Sequence, residues 1–376
     1  MFQKISKVLN KSATKGLTRI DIPDSRGATD TSGDPNNPKT WKGPWRSVTN
    51  PSDIAKAVCK VNIEQYHQAH ITPFGSGPLA TLIGRRGDTP ASVDLLRGTI
   101  PELLNPLMPE TMRILQTLAT QYPAATGTAV ITPEEFVSTY RAADENTSSS
   151  PSGRHIGHYK AILDDPLLVQ LHSRMMSLPF QAGFAPERWT KVTDIMLEKE
   201  PNNPRCYRLR ILALFESDLN HAKRVIIGRR LLHHMNDNNM IPTTQYGSVP
   251  GKHCISAVLK KVLCHDHLRL TKTSGAFLEN DAVGCYDRLV NNLVLTLMIK
   301  LGLLKSVAAC IGSLWENVVH LIKTIYGIFS VTYGNTTDKL LYGPGQGSTC
   351  GVIFWLLCYW VTVTSLYPAV TAGKFI

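Results

Sequence analysis

Apolar residues recur at helical spacing along most of this chain and at strand spacing in only a few short stretches. Ile54, Val58, Val61 and Ile63 fall partly on one face, which predicts a helix over 53–70 started by Ser52 or Asp53. Met112, Leu115 and Leu118 predict a second helix from Pro109 to Gln121. Thr132-Pro-Glu-Glu135 has the order of a helix start, with a hydroxyl cap, proline at the first position and glutamate at the third. Short helices are predicted from Tyr159 to Leu163 and from Val169 to Met176, the latter ending before Leu178-Pro179. Lys191 to Leu197 and Arg208 to Leu214 read as strands, joined through the turn Pro201-Asn-Asn-Pro.

The same pattern continues in the second half. Helices are predicted over Asn220 to Met235, Ile255 to Leu268, Leu289 to Leu301 and Val307 to Val319. Gly302 stops the third of these as a C-terminal cap. Ile322 to Tyr326 and Phe329 to Tyr333 form a predicted hairpin, and Gly275-Ala-Phe-Leu a short buried strand. The fold class is therefore α+β. Three regions follow from the breaks: a polar, turn-rich arm over 1–52, a mostly helical N-terminal region over 53–145, and a mixed region over 146–376 that begins at the hinge Ser148-Ser-Ser-Pro-Ser-Gly.

The end of the chain has no charged residue from Leu340 to Gly373. The run from Gly351 to Tyr367 approaches the length that spans a bilayer, so a membrane anchor over 351–370 is one alternative. Thr362, Thr364, Ser365 and Pro368 dilute it, and a helix buried on several sides of a soluble lobe has the same composition. The expectation is such a helix with its far face bare.

Charge narrows the choice of partner. Lysine and arginine number 40 against 29 acids, a net charge of +11, which favours an anionic partner such as nucleic acid. Lys223, Arg224, Arg229 and Arg230 lie on one predicted helix and form the candidate basic stripe, with Lys252 beyond it. The eight cysteines contain no CxxC pair, and Cys264-His-Asp-His lacks the spacing of a zinc site.

Candidate chemistry lies in two segments. Asp281-Ala-Val-Gly-Cys-Tyr286-Asp287 places a carboxylate after the predicted strand, an aromatic five positions on, and a second acid. Gly343-Pro-Gly-Gln346-Gly347-Ser-Thr is a Gly-rich turn with one amide side chain ahead of an apolar helix. A carboxylate at a strand end is a hard oxygen ligand for a divalent cation, and a Gln-Gly turn lets backbone approach a nucleotide.

In their order, these segments resemble a reverse transcriptase of the non-long-terminal-repeat (LINE-like) retrotransposon kind. The resemblance covers roughly 150–376. It runs through Ser150-Pro-Ser-Gly153, Trp189-Thr-Lys191, Tyr207-Arg208-Leu-Arg-Ile-Leu, the lysine-bearing helix from Lys223, Gln245-Tyr-Gly247 to Lys252, Asp281 to Asp287, and Gln346-Gly347. It implies the fingers and part of the palm of a right-hand polymerase, behind a mostly helical N-terminal region. It implies RNA-directed DNA polymerase ancestry, with an RNA template, a DNA primer and deoxynucleoside triphosphates as partners. No dedicated membrane partner and a cytoplasmic or nuclear location go with it. Carried over, Asp281 is the catalytic, metal-binding carboxylate, joined by the Ala282 carbonyl. Arg208, Tyr286, Gln346 and Gly347 contact the nucleotide, with Tyr286 as the gate against ribonucleotides. The cofactor implied is Mg2+, in an intact, full-length version. The family's aromatic-x-Asp-Asp motif does not follow Gln346 here, so the chain as given is expected to be inactive alone. A non-catalytic basic nucleic-acid-binding protein built on the same scaffold is the alternative.

Overall fold

A computed structural model describes residues 17–102, 107–123, 127–146, 150–242, 245–247, 249, 251–275 and 284–366. Within them the chain is α+β. The polar arm carries two short antiparallel strands, β1 (Ile20–Pro23) and β2 (Trp45–Val48). It is anchored rather than free: Ile20 and Val48 are buried, and the Asp21 amide donates to the Pro204 carbonyl at 3.0 Å.

Helix α1 (Pro51–His67) starts one residue before the expected cap, because the Asn50 side chain accepts from the amides of Ser52 and Asp53. It is followed by α2 (Pro78–Ile83), α3 (Pro90–Leu96), α4 (Pro109–Ala119) and α5 (Pro133–Arg141). At α5 the expected capping box forms: Thr132 accepts from the Glu135 amide, and Glu135 accepts from the Thr132 amide. Then come α6 (Ile156–Lys160) and α7 (Pro166–Ala182). Helix α7 runs through Pro179 instead of stopping before it. Burial of Met176 and Phe180 on the same face carries the helix past the proline, and Gly183 ends it in the left-handed conformation.

After the single turn α8 (Glu187–Thr190), strand β3 (Lys191–Glu198) pairs antiparallel with β4 (Leu209–Leu214). The predicted long helix over Asn220 to Met235 exists but is not uniform. It comprises α9 (Ser217–Lys223), a π-helical segment at Arg224–Arg229, and α10 (Arg230–Asp237). Helix α11 (Cys254–Thr271) buries none of its residues. Helices α12 (Asn291–Lys300) and α13 (Lys305–Glu316) lead into the hairpin β5 (Val319–Thr324) and β6 (Gly327–Gly334), and α14 (Gly351–Leu366) follows. The four strands form one sheet in the order β4-β3-β5-β6, with β3 and β5 parallel. The strand expected at Gly275 to Leu278 lies, apart from Gly275, outside the described residues.

Two apolar cores hold these layers. One lies between α1 and a face of the sheet, where Ile54, Val58 and Tyr66 meet Met196, Ile211, Ile322 and Tyr333. The larger one joins α4, α5, α7, α9, α12, α13 and α14. It takes side chains from both sides of position 146, so the helical N-terminal region and the mixed region share one core. Helix α14 is seated in it. Trp360 meets Tyr122 edge-on at 5.0 Å, Phe354 meets Trp315 at 5.4 Å, and Ser365 shares a hydrogen bond with Thr117 at 2.9 Å. The N-terminal helix α4 thus covers a face that the sequence reading left bare. No helix among the described residues is long and apolar enough to cross a membrane.

Candidate functional site

The Gly-rich turn from Gly343 to Thr349 is built by close backbone approach. The Ala213 amide, near the end of β4, donates to the Gln346 carbonyl at 2.6 Å. Gly347 has φ +118°, and a Cβ there would overlap the Ala213 carbonyl. A Cβ on Gly343, at φ +83°, would overlap the Tyr286 carbonyl. The Gly343 amide donates to Asn291 Oδ1 at 2.9 Å. The Tyr286 ring lies against Gly351, whose Cβ would be 3.4 Å from ring atoms Cδ1 and Cε1. Three segments far apart in the chain therefore meet at one turn: β4, the Tyr286 segment and Gln346-Gly347.

Helix α9 clamps the turn from its other side. Asn220 Nδ2 donates to the Gly347 carbonyl at 3.3 Å, and Thr349 Oγ1 donates to the Asn220 carbonyl at 2.7 Å. Lys223 Nζ donates to Ser348 Oγ at 2.9 Å and lies 4.4 Å from the centre of the Phe215 ring. Lys223 is 2% exposed. Burial pulls its pKa down to about 8.

The expected basic stripe is thus redistributed. Lys223 is a buried strut. Its register explains this: Leu219, Ala222, Ile226 and Ile227 share its face of the helix, and all are buried. Arg229 donates to Thr139 Oγ1 at 3.3 Å. Arg230 is held by the Thr128 and Val130 carbonyls and by the Glu135 carboxylate at 2.7 Å. Arg224 is exposed. Lys252 lies 5.8 Å from the Tyr246 ring centre, with Nζ 3.4 Å from the Pro242 carbonyl. Arg208 sits in the turn just before β4, paired with Glu200 and lying over Tyr207 at 5.8 Å. Tyr286 is half-buried, and burial raises its pKa.

Asp281 and Ala282 lie outside the described residues. Among the described residues, no group of three or more His, Cys, Asp or Glu side chains could hold a metal ion. Two acids nearby are already engaged. Asp287 is 2% exposed and accepts from Gln65 Nε2 at 2.5 Å, while its Oδ1 has no partner. Burial raises its pKa, which the Gln65 hydrogen bond opposes. Asp194 on β3 is fully buried. It binds His320 Nδ1 at 3.1 Å and accepts from the Tyr333 hydroxyl, which in turn accepts from Asn62 Nδ2 at 3.1 Å. This set of donors satisfies a carboxylate without a cation. The described residues thus do not assemble a magnesium site.

Sequence reasoning missed the clamp residues Asn220 and Ser348 and the burial of Asp287. The apolar register around Lys223 carried the signal for the first two, since a lysine on that face needs an oxygen partner. No protein-family model matches the chain, and no curated protein matches it.

Proposed function

We propose that this chain is the fingers and part of the palm of a reverse-transcriptase-like polymerase of retrotransposon ancestry, with a basic surface for nucleic acid. One observation carries the reading. Two of the segments that the resemblance assigns to the nucleotide come together: Gln346 is held by a backbone hydrogen bond from Ala213 of β4, and the Tyr286 carbonyl and ring pack beside the same turn, while Arg208 lies before β4 and pairs with Glu200. Glycines at 343 and 347 permit the close backbone approaches of Tyr286 and Ala213 that fix the shape of this turn. Two residue types fit the roles: an aromatic beside the sugar and an amide turn beside the base.

Among the described residues no group of carboxylates converges as a metal site. Two-metal transfer needs several converging carboxylate oxygens, so the chain alone is expected to bind and not to polymerise. The test is a photo-crosslinking and primer-extension pair with an RNA template and a DNA primer. The expected result is template-dependent crosslinking of a deoxynucleotide to the segment 340–350, with no incorporation. Crosslinking that ignores the template, or that maps away from this turn and Tyr286, overturns the reading.

A further inference from the structure

Helix α7 carries apolar residues on two opposite sides. Val169, Met176 and Phe180 are buried and seat the helix on the large core. On the other side Leu168, Leu171, Met175 and Leu178 are between 38% and 56% exposed, and Leu167 beside them is 77% exposed. An ordinary surface helix keeps one apolar stripe for the core and turns charged and polar residues outward. Here Arg174 is the one Lys, Arg, Asp or Glu in the whole helix.

The spacing of the outward stripe is specific. Leu168, Leu171, Met175, Leu178 and Ala182 follow one another at intervals of three, four, three and four residues. That alternation is the seam of a coiled coil, where each side chain enters a gap on a helix with the same repeat. It runs the length of α7, so the face fits a partner helix rather than a strand or a small ligand. A groove of about 430 Å3 follows the stripe, bounded by Val130, Met175, Leu178 and Gln181. The other helix with exposed apolar residues, α11, has no such seam. Asp266, paired with Arg269, stands between Val262 and Leu270 on its apolar side.

The chain itself supplies a helix with the matching repeat. The stripe offers the same side chains and the same gaps on every copy, which is the self-complementarity that a two-fold contact demands. When two such faces meet, on the order of 1,200 Å2 leaves water, the lower bound of a specific interface. We infer that the chain forms a homodimer in which α7 packs against α7 of a second copy. None of the residues assigned to nucleotide or nucleic acid lies on this face, so the inference stands apart from the polymerase reading.

Sedimentation equilibrium of the full chain is the test. The wild type should be a dimer at about 100 µM and dissociate toward monomer at about 1 µM, the weak range expected of an interface this small. Leu171→Glu with Leu178→Glu puts two carboxylates of each copy into the seam and should weaken association by at least about a hundredfold. Both positions are exposed in the single copy. The double variant should therefore melt with the wild type at about 1 µM, where neither is paired, which separates lost pairing from lost folding. Leu270→Glu, on the exposed side of α11, should leave the dimer unchanged. A wild-type chain that stays monomeric at about 100 µM overturns the inference. So does a dimer that survives the double variant, and so does one that Leu270→Glu disrupts equally.

Discussion

Lys223 and Ser348 are joined by a 2.9 Å hydrogen bond between a fully buried ammonium and the turn that follows Gln346. No carboxylate pairs with Lys223 among the described residues. Its neighbours are the Phe215 ring and the thiols Cys310 and Cys350, whose own pKa values burial raises to about 12 and about 11. A lysine whose folded pKa lies below its unfolded value binds fewer protons when folded. Stability therefore rises with pH across the window from about 8 to about 10.5. The gain is on the order of 3 kcal/mol at most. Lys223→Met should remove that rise, seen as the difference between variant and wild-type denaturation midpoints across this window. Parallel pH profiles for the two proteins would contradict the buried, strained state of this lysine.

Gly347 has no room for a side chain. Its φ of +118° is unfavourable for any L-residue, and a Cβ would overlap the Ala213 carbonyl. Gly347→Ala should cost about 1–3 kcal/mol in strain alone. It should also push the turn off β4 and break the hydrogen bond between Ala213 and Gln346. Gly77→Ala is the control, since its φ is also positive at +86° but its Cβ position is open. Urea titration should show a clearly larger loss at 347 than at 77. Equal losses would mean that backbone conformation alone, and not close approach, sets the requirement for glycine.

Much of the fold was legible because one-dimensional patterns coincide with burial. The capping box at Thr132 and the strands at Lys191 and Leu209 follow local rules and appear where expected, whereas the hairpin expected from Ile322 begins earlier, at Val319, where the preceding helix was expected to continue. What was not legible depends on distant partners. The polar arm looks detached in sequence, yet Trp45 stacks with Tyr207 at 5.8 Å and with the Arg205 guanidinium at 4.7 Å. Pro179 ends a helix by local rules, and the core around Phe180 overrides them. At the site, composition marked Lys223, Arg229 and Arg230 as a basic stripe. Whether a cation faces solvent or a carbonyl is settled by the helix packed against it, here α5 and its approach at Thr128 and Val130.

Asp194 is a structural carboxylate, and its removal should show that. It carries no water-facing surface, and His320 and Tyr333 converge on it between α1 and the sheet, with Asn62 donating to the Tyr333 hydroxyl behind them. Tyr66 stacks on His320 at 5.4 Å and closes the set. Asp194→Ala would leave the imidazole and the phenol without their acceptor, at a cost of about 3–5 kcal/mol. Tyr333→Phe removes a single hydroxyl from the same chain and should cost about 1–3 kcal/mol. Calorimetric melting of both variants tests the order. An Asp194→Ala protein as stable as wild type would mean that the network is not formed.

Binding of single-stranded nucleic acid should be carried by the cations that remain exposed. Of the stripe picked out by composition, Arg224 is exposed, while Lys223 is buried and Arg229 and Arg230 are half-buried. Arg224 is exposed beside the clamped turn, and Lys260 and Lys261 are exposed on α11, which buries none of its residues. Each phosphate contact releases condensed counterions, so the logarithm of affinity should fall linearly with the logarithm of salt concentration. For a single strand, removing one contact should flatten that slope by about 0.7. Arg224→Gln, and Lys260→Gln with Lys261→Gln, should therefore flatten the slope for an RNA oligonucleotide, measured by fluorescence anisotropy. Lys223→Gln should leave the slope unchanged wherever the protein stays folded, because its ammonium already faces Ser348 in the interior. A slope that responds to Lys223 and not to the other three would place the nucleic acid inside what is here a closed core, and would sink this assignment of the surface.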